Sequence, residues 1–202
     1  MLSFDPRNNT ERENYKLLIG TIVPRPIAFV TTKAQDGTIN GAPFSYFNVV
    51  TADPPMVSIS VQRKNGAQKD TAQNIAEQGN FVIHIVDETN VKKINETAAT
   101  LAPDESEIAV AGLTEIESDI VSTPGVKEAK VRFECMLEKQ IQLGEDGRAS
   151  TDLIIGKIVR IHFDDSICND GKIVYENLNA VSRLAGNDYA KIGDIFAIER
   201  PK

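Results

Sequence analysis

Tryptophan is absent from this chain, and it contains only two cysteines and two histidines. Cys135 and Cys168 are far apart and show no C-x-x-C spacing, so a disulfide framework is not expected and a cytoplasmic home is favoured. Two distant cysteines and two histidines make a poor metal site, so no metal is expected. No apolar run approaches the roughly 20 residues that a membrane helix needs. The opening M-L-S-F-D-P-R-N-N-T lacks the apolar core of a signal peptide. No G-x-G-x-x-G follows a strand pattern, which argues against a doubly wound α/β fold. Positive charge is in deficit: the formal net charge of −7 argues against a nucleic-acid surface and leaves room only for a local basic pocket. Internal repeats, low-complexity tracts and linker-like runs are also missing.

What is present fits a soluble globular domain. Hydrophobic residues make up 41% and charged residues 25% of 202 residues, enough for one sizeable core. The chain reads as a single domain over residues 1–202. Residues 1–23 form an N-terminal arm in which Glu11–Ile19 carries one or two helical turns.

The rest of the pattern is mostly strand. Ile27–Thr32 is rich in β-branched residues and stops at the hairpin turn Asp36-Gly37. Thr38–Phe47 returns as an irregular strand. Met56–Val61 alternates, with Val57, Ile59 and Val61 on one face and Ser58 and Ser60 on the other. Phe81–Val86, Val131–Leu143 and Leu153–Phe163 are further strands, and Gly156 is expected to bend or bulge the last of these. Lys172–Tyr175 is a short extended piece. Helices are expected after Asp70, a plausible N-cap with Gln73 completing a capping box and Gly79 ending the helix. A second is expected near Thr89–Leu101, where Val91, Ile94, Ala98 and Leu101 recur at helical spacing. A third lies around Glu105–Ala111, within a mixed segment over residues 102–128. Helices fall between strands without βαβ alternation, so a closed or partly closed antiparallel barrel is the expected architecture.

Two stretches point to a ligand. The first is T-I-N-G-A-P-F-S-Y-F-N-V-V-T-A-D-P-P, from Thr38 to Pro55. It is apolar but carries Asn40, Ser45 and Asn48, with Gly41 and Ala42 beside Pro43. Small residues let a planar body approach the backbone, and Pro43 donates no amide. The stretch reads either as a flat slot for a ring such as a flavin or as an irregular edge strand. The second is the basic loop with Arg63, Lys64 and Lys69, just before the helix that opens at Asp70-Thr71. Cations, a threonine hydroxyl and a helix N-terminus all favour a phosphate such as that of FMN. A solvated loop with a capped helix is the plainer alternative. Of the histidines, His84 reads as a hydrogen-bonded strand residue. His162, at a strand end beside a loop, is the better candidate for a ligand contact. Tyr189, in G-N-D-Y, reads as a ligand contact or an interface aromatic.

Taken together, R-P-I-A-F-V-T-T, N-G-A-P-F-S-Y-F-N-V-V-T-A-D-P-P, K-D-T-A-Q-N-I and R-L-A-G-N-D-Y resemble the flavin reductase-like family of FMN-binding split barrels. The flavoredoxin-like branch is the nearest in pattern, and the resemblance runs from about Pro24 to the C-terminus. It implies a mainly β fold, a six-stranded antiparallel Greek-key split barrel with a few flanking helices. It also implies a homodimer with FMN near the interface. Asn40, Gly41, Ala42, Pro43 and Ser45 would line the isoalloxazine. Ser58, Ser60, Lys69, Asp70 and Thr71 would hold the ribityl-phosphate end, with Asn74 assisting and Lys64 nearby.

The expected activity is transfer of electrons from NAD(P)H through FMN to free flavin, a metal complex or a protein acceptor. A non-enzymatic FMN electron carrier is the alternative. Hydride transfer needs no side-chain acid or base, so no catalytic residue is named, and His162 is the candidate for shaping the ring or nicotinamide pocket. Two features depart from the short flavin reductases. Tyr189 stands one residue further from Gly186 than their Gly-x-Tyr pattern would set it, and residues 102–128 are an extra segment.

Overall fold

A computed structural model describes residues 1–99 and 105–201. In chain order its elements are α1 (Glu11–Thr21), β1 (Arg25–Pro26), β2 (Ala28–Lys33), β3 (Ile39–Phe44), β4 (Phe47–Ala52), β5 (Pro55–Gln62), α2 (Asp70–Gln78), β6 (Asn80–Ile85), α3 (Val91–Glu96), α4 (Glu107–Val110), β7 (Glu115–Ile116), β8 (Gly125–Val126), β9 (Val131–Glu145), β10 (Arg148–Phe163), β11 (Cys168–Asn169), β12 (Lys172–Ile173), α5 (Tyr175–Leu178), β13 (Val181–Arg183) and β14 (Tyr189–Lys191). The principal sheet has the order β3-β2-β6-β9-β10-β5-β4, and every pairing in it is antiparallel.

That sheet has seven strands where six were expected. The run Thr38–Pro55 is cut at Ser45-Tyr46 into two strands with different partners. β3 pairs with β2, and β4 pairs with β5. The Tyr46 carbonyl accepts from the Ser60 amide at 2.9 Å, so the corner is tied to β5. The two outermost strands are thus consecutive in the chain, and the sheet rolls into a barrel that is split at this corner.

Both faces of the sheet's centre are packed. β2 is buried from Ala28 to Thr32. On the inner face Ala28 and Val30 join Val57, Ile59, Val61, Phe81, Ile83, Cys135 and Ile154, and α2 closes the barrel with Ala72 and Ile75. On the outer face Phe29 packs with Val86, Ile94, Ile108, Leu113, Val126 and Val181. The second cluster gives the extra segment its physical role. From α3 to β8, the described residues lay an apolar layer over the back of β2 and β6. Gly156 stands at a register shift between β9 and β10, as expected of it. A Cβ there would come within 2.4 Å of Phe81 Cζ, so the bulge and the missing side chain together admit the Phe81 ring.

Several local readings are corrected. The N-terminal helix is longer than expected, because Thr10 and Glu13 form a reciprocal capping box. The N-cap of α2 is Lys69, which has extended φ/ψ, and Asp70 is the first helical residue with no capping hydrogen bond. Its carboxylate still favours the positive end of the helix. Gly79 ends α2 with φ +70°, as expected. α3 stops at Glu96, where the Thr97 hydroxyl donates to the Ile94 carbonyl and competes with further helix. Leu101, assigned to that helix from its spacing, and residues 102–104 of the mixed segment lie outside the described residues. The extended piece near Lys172 ends at Ile173, and Tyr175 opens α5.

His84 illustrates how tightly the layers meet. It is completely buried. Its Nδ1 lies 3.0 Å from the Phe29 carbonyl oxygen, and its Nε2 accepts from the Val126 amide at 3.0 Å. That pair of contacts fixes the neutral tautomer protonated at Nδ1. Burial pushes its pKa down to about 4 from 6.5. Below pH 6.5 the unfolded chain therefore takes up a proton that the folded chain refuses. This contribution to stability is complete above about pH 6.5 and is lost as pH falls toward 4. Comparing stability against pH for the wild type and His84→Gln should show the wild-type curve steeper in that window, by up to about 1.4 kcal/mol per pH unit.

Candidate functional site

Three adjoining chambers run along the split side of the barrel. The first, about 530 Å³, lies at the N-terminus of α2 and is lined by Asn40, Ala42, Pro43, Lys64, Lys69, Asp70 and Thr71, with Glu107 on the opposite wall. The second, about 160 Å³, shares Pro43, Phe44 and Lys69 with the first and adds Ser45, Tyr46 and Ser60. The third, about 410 Å³, shares Arg25, Ser45, Tyr46 and Ser60 with the second and adds Phe47, Asn48 and Ser58 under Leu18 of α1 and Ile22 just after it. The two outer chambers each fall in the range of small-molecule pockets, about 300–1,000 Å³. The shared residues make the three one groove.

Strand alternation builds its walls. Along β3, Asn40 and Ala42 face the groove, while Ile39 and Gly41 face the outer core. Along β5, Ser58 and Ser60 face it, and Val57, Ile59 and Val61 face the barrel interior. Below the first chamber lies a polar network. Asn40 Nδ2 donates to Thr32 Oγ1 (3.3 Å) and Thr71 Oγ1 (3.1 Å), and Asn74 Nδ2 donates to Thr32 Oγ1 (3.1 Å). This network pins the first turn of α2 to β2 and β3, so the helix amides present a fixed face. Burial raises the Glu107 carboxyl above the usual range, and nearby Asp70 adds to the effect. Burial likewise raises the Tyr46 phenol, with Tyr15 contributing.

The structure separates the sequence-derived candidates. Asn40, Ala42, Pro43, Lys64, Lys69, Asp70 and Thr71 come together at the first chamber, and Ser45, Ser58 and Ser60 at the other two. Gly41 is outside the groove. A Cβ on it would stand 2.5 Å from Ile108 Cδ1 and 2.8 Å from Phe29 Cζ, so its small size serves packing of α4 on the sheet. Asn74 is buried beneath the groove and acts through Thr32.

His162 sits near the opposite end of β10, ten residues from Asp152, or roughly 33 Å at about 3.3 Å per residue. Its Nε2 is 2.6 Å from Glu134 Oε1. The Glu134 carboxylate also accepts from the amides of Asp119, Ile120 and Val121. Burial alone would raise Glu134, yet His162 and these amides hold it below its ordinary value. Glu134 therefore fastens the 119–121 segment to the β9–β10 hairpin, and His162 holds the Glu134 carboxylate from the neighbouring strand. Tyr189 also points elsewhere, donating to Asn95 Oδ1 at 2.9 Å.

Arg63 is not free for a phosphate. Its Nε and Nη2 donate to the two carboxylate oxygens of Asp152 at 2.8 and 2.9 Å, and Asp152 is fully buried. Burial opposes ionisation of Asp152, but Arg63, Gln140 and Gln68 outweigh it and hold the carboxyl below its ordinary value. Lys64 and Lys69 are the loop's uncommitted cations among the described residues. Sequence reasoning missed Arg25, Arg183, Tyr15 and Tyr46, which all line the second chamber. Three of these stood within quoted motifs, Arg25 in R-P-I-A-F-V-T-T, Tyr46 in N-G-A-P-F-S-Y-F-N-V-V-T-A-D-P-P and Arg183 in R-L-A-G-N-D-Y, and for the two arginines a basic residue beside proline or near glycine was the available signal.

The split barrel thus carries a groove with two uncommitted lysines at a helix N-terminus and mostly apolar surface at its far end. Residues 19–180 match the family described as flavin reductase like domain, and the chain belongs to that family. It is similar over nearly its whole length to the crystal structure of nitrilotriacetate monooxygenase component B from Bacillus cereus, with 54% identity, a TM-score of 0.96 and 98% of each chain covered. The 2-nitrobenzoate 2-nitroreductase NbaA of Pseudomonas fluorescens is 27% identical, with a TM-score of 0.89 over 99% of this chain and 96% of that one. Flavoredoxin of Desulfovibrio vulgaris (Miyazaki F), 24% identical, shares the fold, with a TM-score of 0.75 over 87% of this chain and 91% of that one.

The Arg63–Asp152 clamp gives a direct test of how the loop before α2 is held. Arg63→Ala should cost about 3–5 kcal/mol in denaturant unfolding, because it strands a buried carboxylate. Adding Asp152→Asn to that variant should recover part of the loss.

Proposed function

We propose that the chain binds FMN in the groove and passes electrons from a reduced nicotinamide through it to a flavin, metal-complex or protein acceptor. The observation that carries this reading is the continuity of the three chambers from the α2 N-terminus to the Ser45-Tyr46 corner. Lys64, Lys69, the hydroxyl of Thr71 and the α2 amides suit a phosphate monoester. Asn40, Ser45, Ser58 and Ser60 offer neutral donors and acceptors, while Ala42, Pro43 and Phe47 offer apolar contact. The groove's residues therefore fit a flavin mononucleotide, which would supply the two-electron chemistry when bound. The chain's own part is to hold and orient it. The names of the relatives, a monooxygenase component and a nitroreductase, support an oxidoreductase. A non-enzymatic electron carrier would use the same groove, and steady-state NADH and NADPH oxidation by the purified protein separates the two.

Chromatography of whatever the denatured protein releases is the primary test. FMN is expected, and stoichiometric FAD, or no flavin after reconstitution, overturns the reading. Lys69→Ala should weaken FMN by about 1.5–3 kcal/mol, the contribution of a charge-assisted contact, while riboflavin affinity hardly changes. Equal losses for both would mean that Lys69 supports the fold and does not read phosphate.

A homodimer is the second part of the proposal. The barrel interior is filled by its own side chains, so a ring must lie in the outer groove. That groove is flanked by exposed apolar residues, Leu18 of α1, Ile22 just after it, and Val49 and Val50 of β4. A two-fold copy would cover them and supply the missing wall. Sedimentation of the FMN-bound protein should give twice the 22.1 kDa chain mass. A monomer that keeps its flavin would refute the shared groove.

A further inference from the structure

The second chamber has an unusual charge balance. Among the described residues it is lined by Arg25, Lys69 and Arg183 and by no aspartate or glutamate. Among the described residues, none of the three forms an ion pair with a carboxylate.

Arg25 is only 6% exposed. Its Nη1 donates to the carbonyls of Ile19 and Ile22, and its Nη2 donates to that of Leu184. The first two carbonyls close α1, so the negative end of that helix offsets part of the charge. Nε is buried and has no partner. A buried cation without a counter-charge is costly, and an anion entering the chamber would offset what the helix does not.

Arg183 supplies the recognition. Its guanidinium stacks over the Tyr189 ring, 4.4 Å from the centroid, and Nη2 donates to the Gly186 carbonyl at 2.6 Å. A guanidinium carries five N–H donors in a rigid fork. Stacking fixes the plane of that fork, while one hydrogen bond leaves most of its donors uncommitted. This is the arrangement that binds a carboxylate or phosphate through two bonds at once.

We infer that the second chamber is an oxyanion site, in which Arg183 makes the directed contacts, Lys69 adds a second donor and Arg25 provides a fixed charge behind them. At about 160 Å³ it has room for a phosphate or carboxylate group but not for a ring system with its substituents. The oxyanion has two possible sources, the flavin's own phosphate or an anionic group on the electron donor or acceptor. Naming these sources rests on the flavin reading, whereas the site itself does not.

The test is calorimetric titration of the full-length chain with sodium sulfate, against sodium chloride of equal ionic strength, with and without added FMN. Saturable sulfate binding is expected in the chain without FMN. Arg183→Gln should weaken it tenfold or more, and Arg183→Lys should retain part of it. Unchanged thermal melting of both variants shows that the fold is intact. If FMN excludes sulfate and riboflavin does not, the flavin phosphate occupies this chamber in place of the α2 N-terminus, and Arg183→Gln must then weaken FMN and spare riboflavin. If sulfate still binds beside FMN, the site serves a substrate, and sulfate should inhibit competitively against the donor or the acceptor that uses it. Sulfate that binds Arg183→Gln as tightly as wild type, or that never binds saturably, overturns the inference. Sulfate binding through Arg183 in a chain that takes up no flavin would instead retire the flavin reading and leave the oxyanion site standing.

Discussion

The groove depends on one constraint of chain length. β3 and β4 lie at opposite ends of a seven-stranded sheet, yet only Ser45 and Tyr46 separate them. Across a flat sheet those edges would stand six strand spacings apart, roughly 29 Å at about 4.8 Å each. The three peptide steps from Phe44 to Phe47 span at most about 11 Å. The sheet therefore has to curl, and the place where the edges meet cannot continue as regular ladder. A polar corner opens there, with Ser45, Tyr46 and Ser60 at the junction of two chambers. The site is a by-product of closing the barrel with too short a connection.

Closure alone would leave the back of the sheet bare. Phe29 and Val86 are apolar and completely or almost completely buried, and it is the α3–β8 region that buries them. Two cores thus share one set of central strands, and on the outer side His84 ties the sheet to the layer over it, bonded to the Phe29 carbonyl of β2 and to the Val126 amide of β8. The groove stands on strands packed from both sides, which suits a site that must hold a ligand at a fixed angle. The cations near the groove are held differently. Arg63 is spent on Asp152, whereas Arg25 and Arg183 are held by carbonyls and an aromatic ring and, among the described residues, form no ion pair with a carboxylate.

Much of the architecture could be read from residue order. Ser58 and Ser60 alternate with Val57, Ile59 and Val61 in the sequence and in β5. The long β9 and β10 strands, the irregularity at Gly156 and the glycine stop at Gly79 were equally legible, because each follows from local sterics or a period of two. The break at Ser45-Tyr46 was not, since its cause is a pairing between β4 and β5 and not a local breaker. The cap of α2 was misplaced for a similar reason. Asp is the better capping side chain, but the backbone turns helical one residue earlier and leaves Lys69 outside. Gly41 looked like a ligand-facing residue because the atom it makes room for, Ile108 Cδ1, belongs to a residue 67 positions away. His162 matched the rule that site residues sit at strand ends, but its partner Glu134 lies on the neighbouring strand and holds it in a structural role. Arg25 stood in a quoted motif, but only the fold brings it under α1 and into the second chamber.

β3 serves two masters through a period of two. Its even-numbered residues Asn40 and Ala42 look into the groove, and its odd-numbered residues Ile39 and Gly41 look into the outer core. A slip of one residue would exchange the two sets, placing Ile39 in the groove and Asn40 against Phe29 and Ile108. Length changes in the Ala34–Thr38 turn are therefore constrained more tightly than loops usually are. Apart from Gly37, which holds φ +96°, the turn can change in composition, but an insertion or deletion of a single residue that is carried into β3 would spoil binding and packing in one event. Only paired changes, two residues at a time, keep both faces in phase.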